Sequence, residues 1–143
     1  MVREASPLEA AAAALARRDR SAAWLTLFLE GRGVSADEAA GAVARLERAG
    51  YVDDVRFAAA RADSLAARGS GDEAIRADLT AAGVADEDVV RALAALEPEA
   101  ERARMLVERL GTSARTARRL VAKGFDADAV EAAFAASRDA PDG

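Results

Sequence analysis

The apolar positions of this chain repeat on a long period. Three segments close with a glycine followed by an apolar residue: Gly33-Val34, Gly83-Val84 and Gly124-Phe125. Set in register on that glycine, the segments match far from it without a gap. Four residues earlier stand Leu29, Leu79 and Leu120, and ten residues later stand Val43, Leu93 and Phe134. Eighteen residues earlier stand Leu15, Leu65 and Leu106. Twelve residues earlier stand Ser21, Gly71 and Thr112, all residue types that open helices. Between these markers apolar residues recur at helical spacing, as in Trp24, Leu25, Phe28 and Leu29. No run of β-branched and aromatic residues alternates with polar ones, so strands are not expected.

The pattern predicts an all-α chain of three tandem three-helix repeats. The first repeat, 7–50, places helices over about 7–18, 21–32 and 36–49. The second, 51–97, places them over about 54–68, 72–82 and 86–96, and the third, 98–138, over about 98–110, 113–123 and 127–137. Residues 1–6 and 139–143 are expected to be disordered ends. Pro7 and Pro98 suit a first helical turn. Ser35 with Glu38, and Ser70 with Glu73, have capping-box spacing. The three register glycines fit left-handed helix closures, followed by the apolar contact of that motif. One such triplet buries little surface alone. Stacked end to end, three give an elongated, gently curved array with a long surface and no deep pocket.

Composition narrows the chemistry. Alanine and leucine dominate the 52% of apolar residues, and aromatics are only 4%. Cysteine and histidine are absent, which removes disulfides, Cys or His zinc sites and any nucleophile–histidine pair. A reducing cytosol is compatible with this. No stretch approaches the roughly 20 apolar residues of a membrane span, and the start of the chain lacks the pattern of a secretion signal. The net charge is −5, and its negative excess sits in residues 51–97, which carry 5 basic and 10 acidic side chains. The acids at predicted helix starts, Asp53-Asp54, Asp72-Glu73 and Asp86-Glu87-Asp88, read as partners of the helix dipole rather than as a metal or acid–base site. No phosphate loop, dinucleotide fingerprint, nucleophile elbow or zinc-protease motif is present. The chain is therefore expected to need no cofactor or metal and to be no enzyme.

The most distinctive string is Gly50-Tyr51-Val52-Asp53-Asp54-Val55-Arg56-Phe57-Ala58. Physically, Asp53 can cap the next helix while Tyr51 or Val52 staples onto Phe57. This string resembles the signature of the RecX family. The resemblance extends upstream to Arg20-Ser21 and Gly33-Val34. Downstream it takes in Arg68-Gly69-Ser70-Gly71, Ile75-Arg76, Leu79, Gly83-Val84 and Lys123-Gly124-Phe125, so that it covers about 8–134. It implies a cytoplasmic bacterial protein of three helical repeats without catalysis. It also implies binding in the groove of the RecA–DNA filament, with damping of strand exchange, ATP hydrolysis and co-protease activity. Single-stranded DNA would then be met only within that filament, and the protein is expected to be a monomer.

Candidate partner-binding residues come from the charge pattern. Arg115, Arg118, Arg119 and Lys123 share one face of a predicted helix. That stripe reads as a partner-binding face or as a solvated face with cations near a helix end. Arg20 belongs to a second basic knot with Arg17 and Arg18. Arg56, Arg61, Arg68 and Arg76 lie among acids and suit ion pairing with a protein. Trp24 reads as a core residue or as an exposed anchor. Two other functions fit three-helix units: a helix-turn-helix-like DNA reader and a helical scaffold without a filament partner. The third helix of each unit is rich in Ala, Asp, Glu and Val, which disfavours reading of base edges.

Overall fold

The computed structural model describes residues 5–139, and those residues form helices and connections without a strand. Unit 1 contains α1 (Pro7–Arg17), α2 (Ala22–Gly31) and α3 (Ala36–Arg48). Unit 2 contains α4 (Asp54–Ala67), α5 (Asp72–Ala81) and α6 (Asp86–Ala94). Unit 3 contains α7 (Glu99–Leu110), α8 (Ala114–Ala122) and α9 (Ala127–Asp139). Ser6 is the N-cap of α1 and Asp139 the last residue of α9, so both leave the ends expected to be disordered. Ala5 is exposed and outside any helix, and 1–4 and 140–143 of those ends lie outside the described residues.

Each unit has its own core, built from the same register positions. Leu25 and Leu29 of α2, Ile75 and Leu79 of α5, and Thr116 and Leu120 of α8 are buried one helical turn apart. The third helices add Ala39 and Ala42, Val89 and Ala92, and Val130 and Ala133. A fully buried alanine in each first helix, Ala11, Ala62 and Ala103, lets the other two helices approach closely. Each fully buried leucine or isoleucine contributes about 2 kcal/mol. Val52 lies in the core of unit 1, while Tyr51 is exposed and Phe57 packs on the core of unit 2. The buried member of the expected staple thus closes the preceding unit.

Close helix–helix packing stays within units, and helix ends join one unit to the next. Second helices meet head to tail. The Ser21 hydroxyl accepts from the Trp24 amide at 3.1 Å and donates to the Ala82 carbonyl at 2.6 Å, so one oxygen serves the start of α2 and the end of α5. At the next junction the Gly71 amide donates to the Lys123 carbonyl at 2.8 Å, and the Glu73 amide to the Gly124 carbonyl at 3.2 Å. The expected Ser70–Glu73 capping box is absent. Gly71 is the N-cap, without a side-chain cap, because the end of α8 supplies the acceptors. Gly83 and Gly124 have φ +81° and +95°, closing their helices in the left-handed region. They also let the neighbour in: a Cβ on Gly83 would lie 2.4 Å from the Ala23 Cβ.

Candidate partner-binding surfaces

Helix α8 begins at the Ser113 cap, whose hydroxyl accepts from the Thr116 amide at 3.2 Å. Thr116 and Leu120 turn inward, which leaves Arg115, Arg118 and Arg119 exposed and Lys123 half-buried at the closing turn. The junction brings further cations to them. Arg68, the C-cap of α4, and Arg109, in the last turn of α7, line one cleft with Arg119 and Lys123. The cleft holds about 20 Å³, room for little more than one water, so the patch would meet a partner as a surface. Arg115, Arg118, Arg119, Lys123 and Arg109 form no ion pair among the described residues. Arg109 escaped the sequence reading, because its place beside α8 comes from packing rather than from helical spacing.

The middle arginines are used differently. Arg56 pairs with Asp19 at 3.3 Å and donates to the Gly50 and Tyr51 carbonyls at 3.1 and 3.2 Å, tying α4 to unit 1. Arg61 makes a two-pronged pair with Asp78, both contacts at 2.9 Å. That hydrogen-bonded guanidinium holds the Asp78 carboxyl below its usual range, against the opposing effect of burial. Arg76 lies 3.8 Å from Glu73 in an exposed pair of small energetic worth. Arg68 donates to the Ser64 hydroxyl at 2.9 Å and remains exposed beside the α8 patch.

Arg102 went unnoticed in the sequence and is the most heavily used. It donates to the Glu97 and Ser70 carbonyls at 3.0 Å each, pairs with Asp72, and lies 5.7 Å from the centre of the Phe125 ring. In unit 1, Arg20 stacks over Trp24 at 4.0 Å. Trp24 is half-buried, with one side on the core and its ring stacked on Phe28. Burial lowers the Arg20 pKa, and the Arg18 and Arg61 charges lower it further.

Among the described residues no group of acids, histidines or cysteines could hold a metal ion, and no helix is long and apolar enough to cross a membrane. Known proteins share this architecture. Residues 53–93 match the family model described as RecX, second three-helix domain. Regulatory protein RecX of Xanthomonas axonopodis pv. citri (strain 306) is 36% identical over 92% of this chain and 87% of its own length. Regulatory protein RecX of Stenotrophomonas maltophilia (strain R551-3) is 35% identical, over 92% of this chain and 86% of its own. The chain belongs to the RecX family. The crystal structure of RecX from Lactobacillus salivarius shares its fold, with a TM-score of 0.80 at 19% identity, covering 91% of this chain and 93% of that one. A second RecX crystal structure has a TM-score of 0.73 at 20% identity, covering 87% and 68%. The RecX model falls on unit 2, the unit joined at both ends. The relatives are regulatory proteins by name, and the helical repeat array is the RecX architecture.

Proposed function

We propose that this chain regulates a RecA recombinase filament by binding it, chiefly through the basic patch at the junction of units 2 and 3, and that it damps ATP hydrolysis, strand exchange and co-protease activity. The observation that carries this reading is the unpaired state of that patch. Arg56, Arg61 and Arg102 are held by acids of the same chain, whereas Arg115, Arg118, Arg119 and Arg109 are exposed and unpaired. Cations left open on an acidic chain suit a groove lined by phosphate and acidic protein surface. The RecX relatives support the partner. The protein acts in the cytoplasm as a monomer, by binding and without a cofactor, and it meets single-stranded DNA within the filament.

A helix-turn-helix-like DNA reader fits less well. The third helices would have to enter the groove, and α6 opens with Asp86, Glu87 and Asp88, which repel phosphate. The test is the triple reversal Arg115→Glu, Arg118→Glu and Arg119→Glu. It is expected to weaken suppression of the DNA-dependent ATPase of RecA and to leave the helical circular-dichroism spectrum intact. Added salt should reduce the parent's suppression in the same direction. A reversed protein that suppresses as well as its parent at low salt makes the stripe a solvated helix face.

A further inference from the structure

A groove of about 390 Å³ runs between α1 and α2 in unit 1, away from the α8 patch. Ala10, Ala13 and Ala14 of α1 line one side, and Trp24 and Phe28 of α2 line the other. Arg17, Arg20 and Arg32 also line it, together with Glu9. Trp24 and Phe28 lie one turn apart on α2, flanked by Arg20 just before its N-cap and by Arg32 at its C-cap. The two rings stack with centroids 5.1 Å apart and planes 11° apart. Arg20 covers the outer face of Trp24 at 4.0 Å, and Arg32 lies 5.7 Å from the Phe28 centre. A cation therefore closes each end of an aromatic pair.

Three arginines face Glu9, the one acid among the described lining residues, so the groove carries a positive excess. Arg17, Arg20 and Arg32 form no ion pair among the described residues, and the Arg20 Nε is buried without a hydrogen-bond partner. Asp19, the acid next in sequence, is committed to Arg56. Arg18 and Arg61 add positive charge around Arg20 instead of relieving it.

We infer that this groove docks an acidic peptide segment of a partner protein, with its carboxylates on Arg17, Arg20 and Arg32 and an apolar side chain against the alanines and the ring pair. Charge complementarity calls for an anion, and the apolar lining calls for a side chain beside it. A nucleic acid strand fits less well. Single-stranded binders offer open ring faces for base stacking, and here Trp24 is covered by Phe28 and Arg20, and Phe28 by Trp24 and Arg32. The site rests on the reading of the chain as a protein-binding regulator and gives it a second contact, remote from α8.

The chain's one tryptophan is the reporter. The full-length protein, with no recombinase in the cuvette, is titrated with a synthetic peptide of alternating Glu and Leu. A Lys-for-Glu version of the peptide and a short oligothymidine are the comparisons. The acidic peptide should shift Trp24 emission, and the other two should not. The double variant Arg17→Glu, Arg32→Glu changes two exposed side chains and should retain its thermal melt. It should bind the peptide roughly tenfold more weakly or worse, through loss of two charge-assisted contacts. The proposal is overturned if the acidic peptide leaves the emission unchanged, if the double variant binds as tightly as the parent, or if oligothymidine alone produces the shift. None of these outcomes bears on ATPase suppression through α8, so the two readings fail separately.

Discussion

The two junctions between units follow one plan and are built from different materials. In each, the first residue of the following unit's first helix is an acid that reaches back to the preceding unit's second helix. Asp54 accepts from the Ala22 amide at 2.8 Å, and Glu99 from the Asp72 amide at 2.6 Å. In each, an arginine of that same helix closes on two backbone carbonyls and an aspartate. At the first junction this is Arg56, with 47% of its side chain exposed. At the second it is Arg102, with 10% exposed. The first junction joins helix ends through a serine hydroxyl, and the second through bare backbone, where Gly71 leaves no room for a side chain. The aspartates are about equally open, Asp19 at 41% and Asp72 at 35%, so the contrast lies in the arginines: truncating the buried one opens a larger void and leaves the Ser70 carbonyl unmet. The second junction should therefore depend far more on single residues than the first.

Arg102→Ala offers the largest break in this comparison. It removes the ion pair to the partly exposed Asp72 and leaves the part-buried Ser70 carbonyl without its donor, and should destabilise the protein by roughly 2–3 kcal/mol. In parallel urea melts Arg56→Ala should shift the midpoint far less, and equal shifts would erase the distinction between the junctions. Gly71→Ala comes next. Gly71 has φ −84°, which any residue adopts, but a Cβ there would lie 2.4 Å from the Gly124 carbonyl carbon. Loss of the Gly71 and Glu73 amide bonds should cost about 2 kcal/mol and speed hydrogen exchange at both amides. Unchanged exchange would mean that the junction tolerates a side chain. The smallest effect is a difference between two glycines. Gly33 and Gly83 have φ +89° and +81°, so alanine strains both alike, yet a Cβ on Gly33 meets nothing within 4 Å. Gly83→Ala should exceed Gly33→Ala by about 1 kcal/mol in thermal melts, through the overlap with Ala23. Equal values would show that the overlap relaxes freely.

Local rules explain what could be read from the chain. The glycine register and the Ser21, Ser35 and Asp53 caps act over a few residues, and they place the helices well. Contacts at the junctions span longer gaps, such as 61 residues from Ser21 to Ala82 and 27 from Asp72 to Glu99. Helix-start logic read Asp54 as a dipole partner, and nothing local shows that its carboxylate serves a neighbouring helix. The sequence offers Arg56 and Arg61 for ion pairing with a partner, and it does not show that Asp19 and Asp78 lie beside them. Arg102 sits in a Glu- and Arg-rich helix where spacing singles out no residue. Asp54 and Glu99 each open their helix in the structure, but they stand at different distances from the register glycines Gly83 and Gly124, so the repeat does not align them in the sequence.

The head-to-tail joints also set which parts of the chain can change length. Helix α5 is gripped at both ends, by Lys123 through Gly71 and by Ser21 through Ala82. One residue inserted into it would turn one end by about 100° against the other and lengthen it by about 1.5 Å. Either joint could then keep its partner only by giving up the other. Among the described residues, α2 is gripped by a neighbouring unit at its start and α8 at its close, so their lengths answer to their own units. Within this array α5 is a ruler of fixed length, and insertions or deletions should accumulate at the two outer ends of the row.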